Sequence, residues 1–178
     1  MVSTQAPQAE AGRVARAWAV LDGVPDPEVP ALSVRDLGIV RDVIDADGTI
    51  EVVLTPTYSG CPATEDIERS VLAALEQSGL GRRARLQRAP AWTTDWISDA
   101  GRRKLRDYGI APPGACAPDQ AVPIRFVGRR AGAATEAVAC PRCESTDTEC
   151  LSAFGSTACK ALYRCRACRE PFEYFKPI

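Results

Sequence analysis

Two CxxC pairs stand near the C-terminal end of the chain, Cys140 and Cys143 in CPRC and Cys165 and Cys168 in CRAC, with twenty-one residues between them. Such knuckles let four sulfurs converge from two tight turns while the intervening segment returns as a hairpin, and four thiolates at about 2.3 Å satisfy a tetrahedral zinc ion. The spacing predicts a structural zinc ribbon over 138–178, with one zinc per chain. A unit of this size lies near the roughly 40 residues below which an apolar core alone rarely suffices. Structural zinc contributes on the order of 10 to 16 kcal/mol in finger peptides, enough to fold such a unit. Rubredoxin-type iron, or an iron-sulfur cluster on the same four sulfurs, is the alternative occupant.

Histidine is absent from all 178 residues. This removes the commonest general base and the imidazole metal ligand together, and with them Ser-His-Asp catalysis and the Glu-x-x-His pairs of carboxylate di-iron centres. Metal chemistry here falls to cysteine and carboxylate. Twenty-two basic residues against twenty-three acidic ones leave a net charge of −1, so no global field favours nucleic acid or an anionic membrane. No apolar stretch reaches the roughly 20 residues of a membrane span, and MVSTQAPQAEAGR lacks the basic-then-apolar pattern of a secretory signal. The expected protein is soluble and cytoplasmic, a reducing setting in which eight cysteines serve metal rather than disulfides.

Upstream of the knuckles the periodicities describe an α+β domain. Val14, Trp18 and Leu21 fall at helical spacing, with Asp22-Gly23 as a stop, and the three prolines of VPDPEVPALSVRDLGIV forbid regular helix and predict an ordered loop. Ile39, Val40, Val43 and Ile44 precede the turn DADG, after which IEVVLTPT alternates Ile50, Val52 and Leu54 against Glu51, Val53 and Thr55, a β-hairpin. A helix follows over about 62–77, with Ile67, Val71, Leu72 and Leu75 as its apolar stripe, and RARLQ is then a third strand, parallel to a hairpin partner. A second helical stretch spans 94–108 with Gly109 as its stop, and its RRKLR reads as a solvated face. The order gives a domain over 11–110, an Ala/Pro/Gly-rich linker over 111–137 that includes the strand-like VPIRFVG, and the ribbon over 138–178.

The other cysteines raise separate questions. Cys116 lies in the linker and matches no spacing. Cys150 and Cys159 lie between the knuckles, where the simplest expectation is two small buried side chains, and an auxiliary thiol beside the metal is the alternative. In PFEYFKPI the aromatic residues are expected to form the ribbon's last strand and pack its core. Cys61, in GCPATEDIERSVLAAL, is expected at the N-cap with Pro62 at the first helical position, where the helix dipole favours a thiolate and Glu65, Asp66 and Glu68 oppose it. Physics alone leaves a reactive thiol and a buried filler both open.

DPEVPALSVRDLGIV followed by LTPTYSGCP resembles the family catalogued as domain of unknown function 59, known for iron-sulfur assembly factors. In that family an Asp-Pro-Glu loop and a Thr-x-x-x-Cys-Pro turn meet near one cysteine. The resemblance implies a small α+β sandwich, and it carries a transfer site for iron or a cluster onto Asp26, Glu28, Thr57 and Cys61. APAWTTDWISDAGRRKLRDYGIAPP, CPRC and FGSTACKALYRCRACREPFEYFKPI extend the likeness to the D subunits of bacterial phenylacetyl-CoA 1,2-epoxidase systems. That likeness implies oxygenase and reductase subunits as partners, with a homodimer left open. It also implies an accessory role without catalysis, helping to place iron or an iron-sulfur cluster in one of those subunits. A resident, non-catalytic structural subunit is the alternative.

Overall fold

A computed structural model describes residues 6–58, 60–114 and 137–178. The chain divides into two compact units, Met1–Lys104 and Leu105–Ile178, the division falling inside a helix. Cys116 and the VPIRFVG segment of the expected linker lie outside the described residues.

The first unit opens with α1 (Ala6–Asp22), which ends at the expected Asp22-Gly23 stop. Ala17 and Leu21 form its buried line, whereas Val14 and Trp18 are only half-buried. The Arg35 guanidinium lies 5.2 Å from the Trp18 ring and pairs with Asp22 at 2.5 Å, so the indole occupies the rim of the core. The proline-rich loop that follows is ordered as expected, closed by Asp26 N–H donating to Leu32 C=O at 2.8 Å and Val34 N–H to Val24 C=O at 3.0 Å. Val24, Val29, Leu32, Val34 and Leu37 are buried, so the loop supplies core although it forms no regular element.

Strands β1 (Val40–Ala46) and β2 (Thr49–Leu54) are the expected antiparallel hairpin. Its two turn residues, Asp47 and Gly48, have φ of 52° and 84°, the paired positive values that suit a tight hairpin of twisted strands. β2 is the central strand of the order β1-β2-β3. Val53 and Thr55, set by the alternation against Ile50, Val52 and Leu54, are buried with them. Helix α2 (Thr64–Gln77) buries Ile67, Val71 and Leu75, and Gly79 with φ of 66° terminates it. Strand β3 (Arg83–Leu86) then pairs parallel with β2, as the strand-helix-strand order requires.

The stretch expected as one helix over 94–108 is broken. A 3-10 turn spans Thr94–Trp96, and α3 begins only at Asp99. Ser98 interrupts them, because its hydroxyl accepts from Gly101 N–H at 2.9 Å in the manner of a helix cap. Gly109, with φ of 93°, follows the end of α3 (Asp99–Tyr108) as expected.

The second unit holds a sheet of order β4-β7-β6-β5, where β4 is Ile110–Ala111, β5 Thr148–Ser152, β6 Lys160–Cys165 and β7 Pro171–Phe175. Strands β5, β6 and β7 are antiparallel neighbours, and β4 runs parallel to β7. The sheet therefore takes in residues well upstream of position 138, since a two-residue strand carries no readable period. Tyr163, Phe172 and Tyr174 pack its core, with Tyr163 edge-on to Tyr174 at 5.5 Å between ring centroids. The terminal aromatics thus close the ribbon from within.

Candidate metal centre

Each knuckle is shaped by backbone hydrogen bonds before any metal is considered. In the first, Cys140 N–H donates to Ser145 C=O and Glu144 N–H to Cys140 C=O, both at 2.9 Å. In the second, Cys165 N–H donates to Glu170 C=O at 3.0 Å, and Cys168 N–H lies 3.5 Å from the Cys165 sulfur. The residue after the second cysteine of each pair turns left-handed, Glu144 with φ of 62° and Arg169 with 67°. Two non-glycine residues in that region, at matching positions, mark a turn imposed by the knuckle geometry.

The four sulfurs of Cys140, Cys143, Cys165 and Cys168 all lie within 4.8 Å of one another. Cys140 and Cys168 are 3.8 Å apart and Cys143 and Cys165 3.5 Å. A tetrahedron with metal-sulfur bonds of about 2.3 Å has edges of about 3.8 Å, so the donor set fits one ion. Protonation points the same way. The Cys168 backbone N–H, with the neighbouring thiols, brings Cys165 down to about 7. At Cys168 the Glu170 N–H acts to lower the thiol, but burial and the sulfurs of Cys143, Cys165 and Cys140 push it up to about 12. A thiolate is thus favoured at Cys165 and disfavoured at Cys168, and a cation bound among the sulfurs would favour the ionised form at both.

Cys150 and Cys159 part company. Cys159 is buried, as expected, with the Thr157 hydroxyl 3.0 Å from its sulfur. Cys150 is exposed, against the expectation of a buried filler, because β5 is an edge strand whose outer half faces solvent.

Around Cys61 the structure alters one expectation. Helix α2 starts at Thr64 with Ala63 at its N-cap, so Cys61 precedes the cap instead of forming it. Both the amide and the hydroxyl of Thr64 donate to the Cys61 carbonyl, at 3.3 and 2.9 Å, which makes 61–64 a separate turn ahead of the helix. The Cys61 side chain is half-buried. Asp26 is buried, and its Oδ1 accepts from Glu28 N–H at 2.9 Å and Val29 N–H at 2.8 Å. That carboxylate holds the Asp-Pro-Glu loop in shape. Thr57 is buried and Glu28 half-buried.

Topology brings the two loops to one end of the sheet. β1 starts at Val40 opposite Leu54 at the end of β2, and Thr55 N–H donates to Ile39 C=O at 2.8 Å. The loop bearing Asp26 and Glu28 enters the hairpin where the loop bearing Thr57 and Cys61 leaves it. Two polar features here are not evident from sequence patterns. The Thr55 hydroxyl is buried without a hydrogen-bond partner, hidden in a stretch that reads only as strand. Asp36 is buried and accepts from Ser33 N–H and Oγ at 3.0 Å and from Lys104 Nζ at 2.6 Å; the Ser-x-x-Asp spacing is its only signal.

Among the described residues no helix is long and apolar enough to cross a membrane. Residues 15–84 match the family model of an iron-sulfur cluster assembly protein, and 127–176 match that of the PaaD zinc beta ribbon domain. A solved structure of a domain of unknown function DUF59 from Bacillus anthracis covers 56% of this chain and 96% of its own, with a TM-score of 0.52 and 22% identity, a likeness of fold. An Fe-S protein maturation auxiliary factor of Porphyromonas gingivalis is 35% identical over 89 residues, 48% of this chain and 84% of that one. The putative D subunit of the 1,2-phenylacetyl-CoA epoxidase of Escherichia coli K12 is 46% identical over 162 residues, 90% of this chain and 91% of that one. With both of its parts accounted for and the likeness running through nearly its whole length, the chain belongs to the family of phenylacetyl-CoA epoxidase D subunits.

Proposed function

We propose that this chain is a non-catalytic accessory component of a phenylacetyl-CoA 1,2-epoxidase system, in a reducing cytoplasm, and that it helps to load iron or an iron-sulfur cluster into the reductase or the oxygenase subunit. One observation carries the reading: a segment matching an iron-sulfur assembly model lies in a chain 46% identical to a putative D subunit of that epoxidase. Cys61 would receive the cargo, because a thiolate is the soft ligand that iron and clusters prefer. Asp26 and Glu28 would contribute carboxylates at the same end of the sheet, and Thr57 a hydroxyl. Cargo must leave as well as enter, and a single half-buried thiol on a loop suits release better than a closed four-sulfur cage.

The four knuckle cysteines would hold zinc. Bound there, zinc closes the ribbon and has no open coordination position. The ribbon's task in this reading is to hold the client while the Cys61 loop delivers. The test is to produce reductase and oxygenase subunits with and without this chain and measure their iron and acid-labile sulfide. Clients loaded fully without it would sink the proposal. The relative's designation as a subunit favours a second reading, a resident structural component. That reading predicts stable co-purification with the oxygenase and indifference to Cys61→Ala.

A further inference from the structure

Cys61 lies in a loop, yet both of its backbone polar groups are engaged. Its N–H donates to Tyr58 C=O at 3.1 Å, and its C=O accepts from the Thr64 hydroxyl at 2.9 Å and the Thr64 N–H at 3.3 Å. The next residue is Pro62, whose ring fixes its own φ and restricts the backbone of the residue before it. Two successive turns, 58–61 and 61–64, therefore meet at Cys61. Its side chain is nonetheless only half-buried. Free cysteine serving as core filler is commonly buried outright.

The start of α2 shows where the Thr64 hydroxyl is not used. Ala63 occupies the N-cap and no side chain caps the helix, while Thr64 stands one position later, inside the first turn. Threonine is a far better N-cap residue than alanine, and within a helix the β-branched threonine is the less favourable of the two. The order Ala63-Thr64 is thus the reverse of the one that would stabilise the helix at both positions. The hydroxyl instead closes the turn on the Cys61 carbonyl. It is the stronger of the two ties, because 2.9 Å is an ordinary length for a hydroxyl donor and 3.3 Å is beyond the usual range for an amide. Local preferences are set aside in this way chiefly at functional sites.

We infer that Thr64 is a positioning residue for Cys61: its hydroxyl, acting through the Cys61 carbonyl, fixes the turn that presents the thiol to an iron or cluster cargo. The inference rests on the transfer role proposed for Cys61 above. Thr64 contributes through the backbone of Cys61, by limiting the conformations the thiol must lose when it engages cargo.

The test follows alkylation of Cys61 by iodoacetamide in the native, full-length, metal-loaded chain, read by mass spectrometry of the peptide that carries it, in Thr64→Val, Thr64→Ala and Thr64→Ser variants. Valine keeps the branching of threonine and alanine favours the helix, but neither has a hydroxyl; serine keeps one. With only the longer amide bond left, the turn opens more often and frees the half-buried sulfur, so alkylation should rise about threefold or more in the valine and alanine variants and stay at the parent rate in the serine variant. Metal content and thermal midpoints are expected at parent values, which separates the opening of one turn from unfolding. Iron and acid-labile sulfide in reductase and oxygenase subunits produced with each variant should fall with valine and alanine and be restored with serine. Parent-rate alkylation in both hydroxyl-free variants overturns the inference, as does a serine variant that behaves like them. Faster alkylation with undiminished client loading, where Cys61→Ala does diminish it, also overturns it. Faster alkylation together with clients that load fully beside the Cys61→Ala chain would support the positioning of the thiol and reject the maturation role.

Discussion

Lys104 Nζ sits 2.6 Å from Oδ2 of Asp36, joining helix α3 to the buried turn that leads into β1. The same carboxylate accepts from the amide and hydroxyl of Ser33, and its other oxygen lies 3.3 Å from Ser98 Oγ. Asp36→Ala strands these donors in a buried site and should cost about 2 to 3 kcal/mol. Lys104→Met should cost less than about 1 kcal/mol, because the lysine side chain is 48% exposed. Urea denaturation of the two variants checks the ranking, and equal losses would count against it.

Acid should weaken both units through named carboxylates. Burial raises Asp36, but hydrogen bonds from Lys104 and Ser33 outweigh it and hold the carboxyl below its ordinary value; Lys160 and Ser156 do the same at Glu173. A lowered native value means the stability is fully present above the ordinary carboxylate range of about 4, and is lost as pH falls through that value towards the native one. Denaturant midpoints measured from pH 7 to pH 2 should fall in this window, and Asp36→Asn should flatten the fall.

Two glycines with positive φ, one closely packed and one open, give a further prediction. Gly38 has φ of 68°, and a Cβ there would overlap the Trp96 carbonyl oxygen. Gly38→Ala therefore combines a left-handed backbone with a clash against the 3-10 turn and should destabilise by about 1 to 3 kcal/mol. Gly48, with φ of 84° and nothing within 4 Å of a Cβ, isolates the backbone cost. Gly48→Ala should lose less, as read by thermal unfolding.

Metal removal should act on one unit. Chelation, or Cys165→Ser, should abolish the ribbon's β signal and its aromatic near-ultraviolet bands, since Tyr163, Phe172 and Tyr174 pack on the strands that the knuckles tie together. Helical circular dichroism from α1 and α2 should persist. Simultaneous loss of both signals would show that the first unit does not fold without the metal.

Patterned features were legible in the sequence. The knuckles, the Asp47-Gly48 hairpin, the α2 stripe and the parallel third strand all follow from spacing and turn chemistry, which act locally. The misreadings arose where competing local hydrogen bonds or tertiary context decide. Cys61 lost its place at the cap to a turn closed by Thr64, a competition between two local hydrogen-bond schemes that composition does not resolve. Cys150 is exposed because its strand lies at a sheet edge, and strand order is not written in strand periodicity. Trp18 is half-buried because Arg35, seventeen residues away in sequence, covers its ring.

The most direct test of the maturation role uses Cys61→Ala. Reductase and oxygenase subunits are produced with either the parent or the variant chain, isolated without oxygen, and assayed for iron and acid-labile sulfide, with zinc measured in the chain itself. The account predicts that the variant keeps one zinc per chain while a client falls well below full iron or cluster occupancy. Clients as fully loaded by the Cys61→Ala chain as by the parent would contradict it.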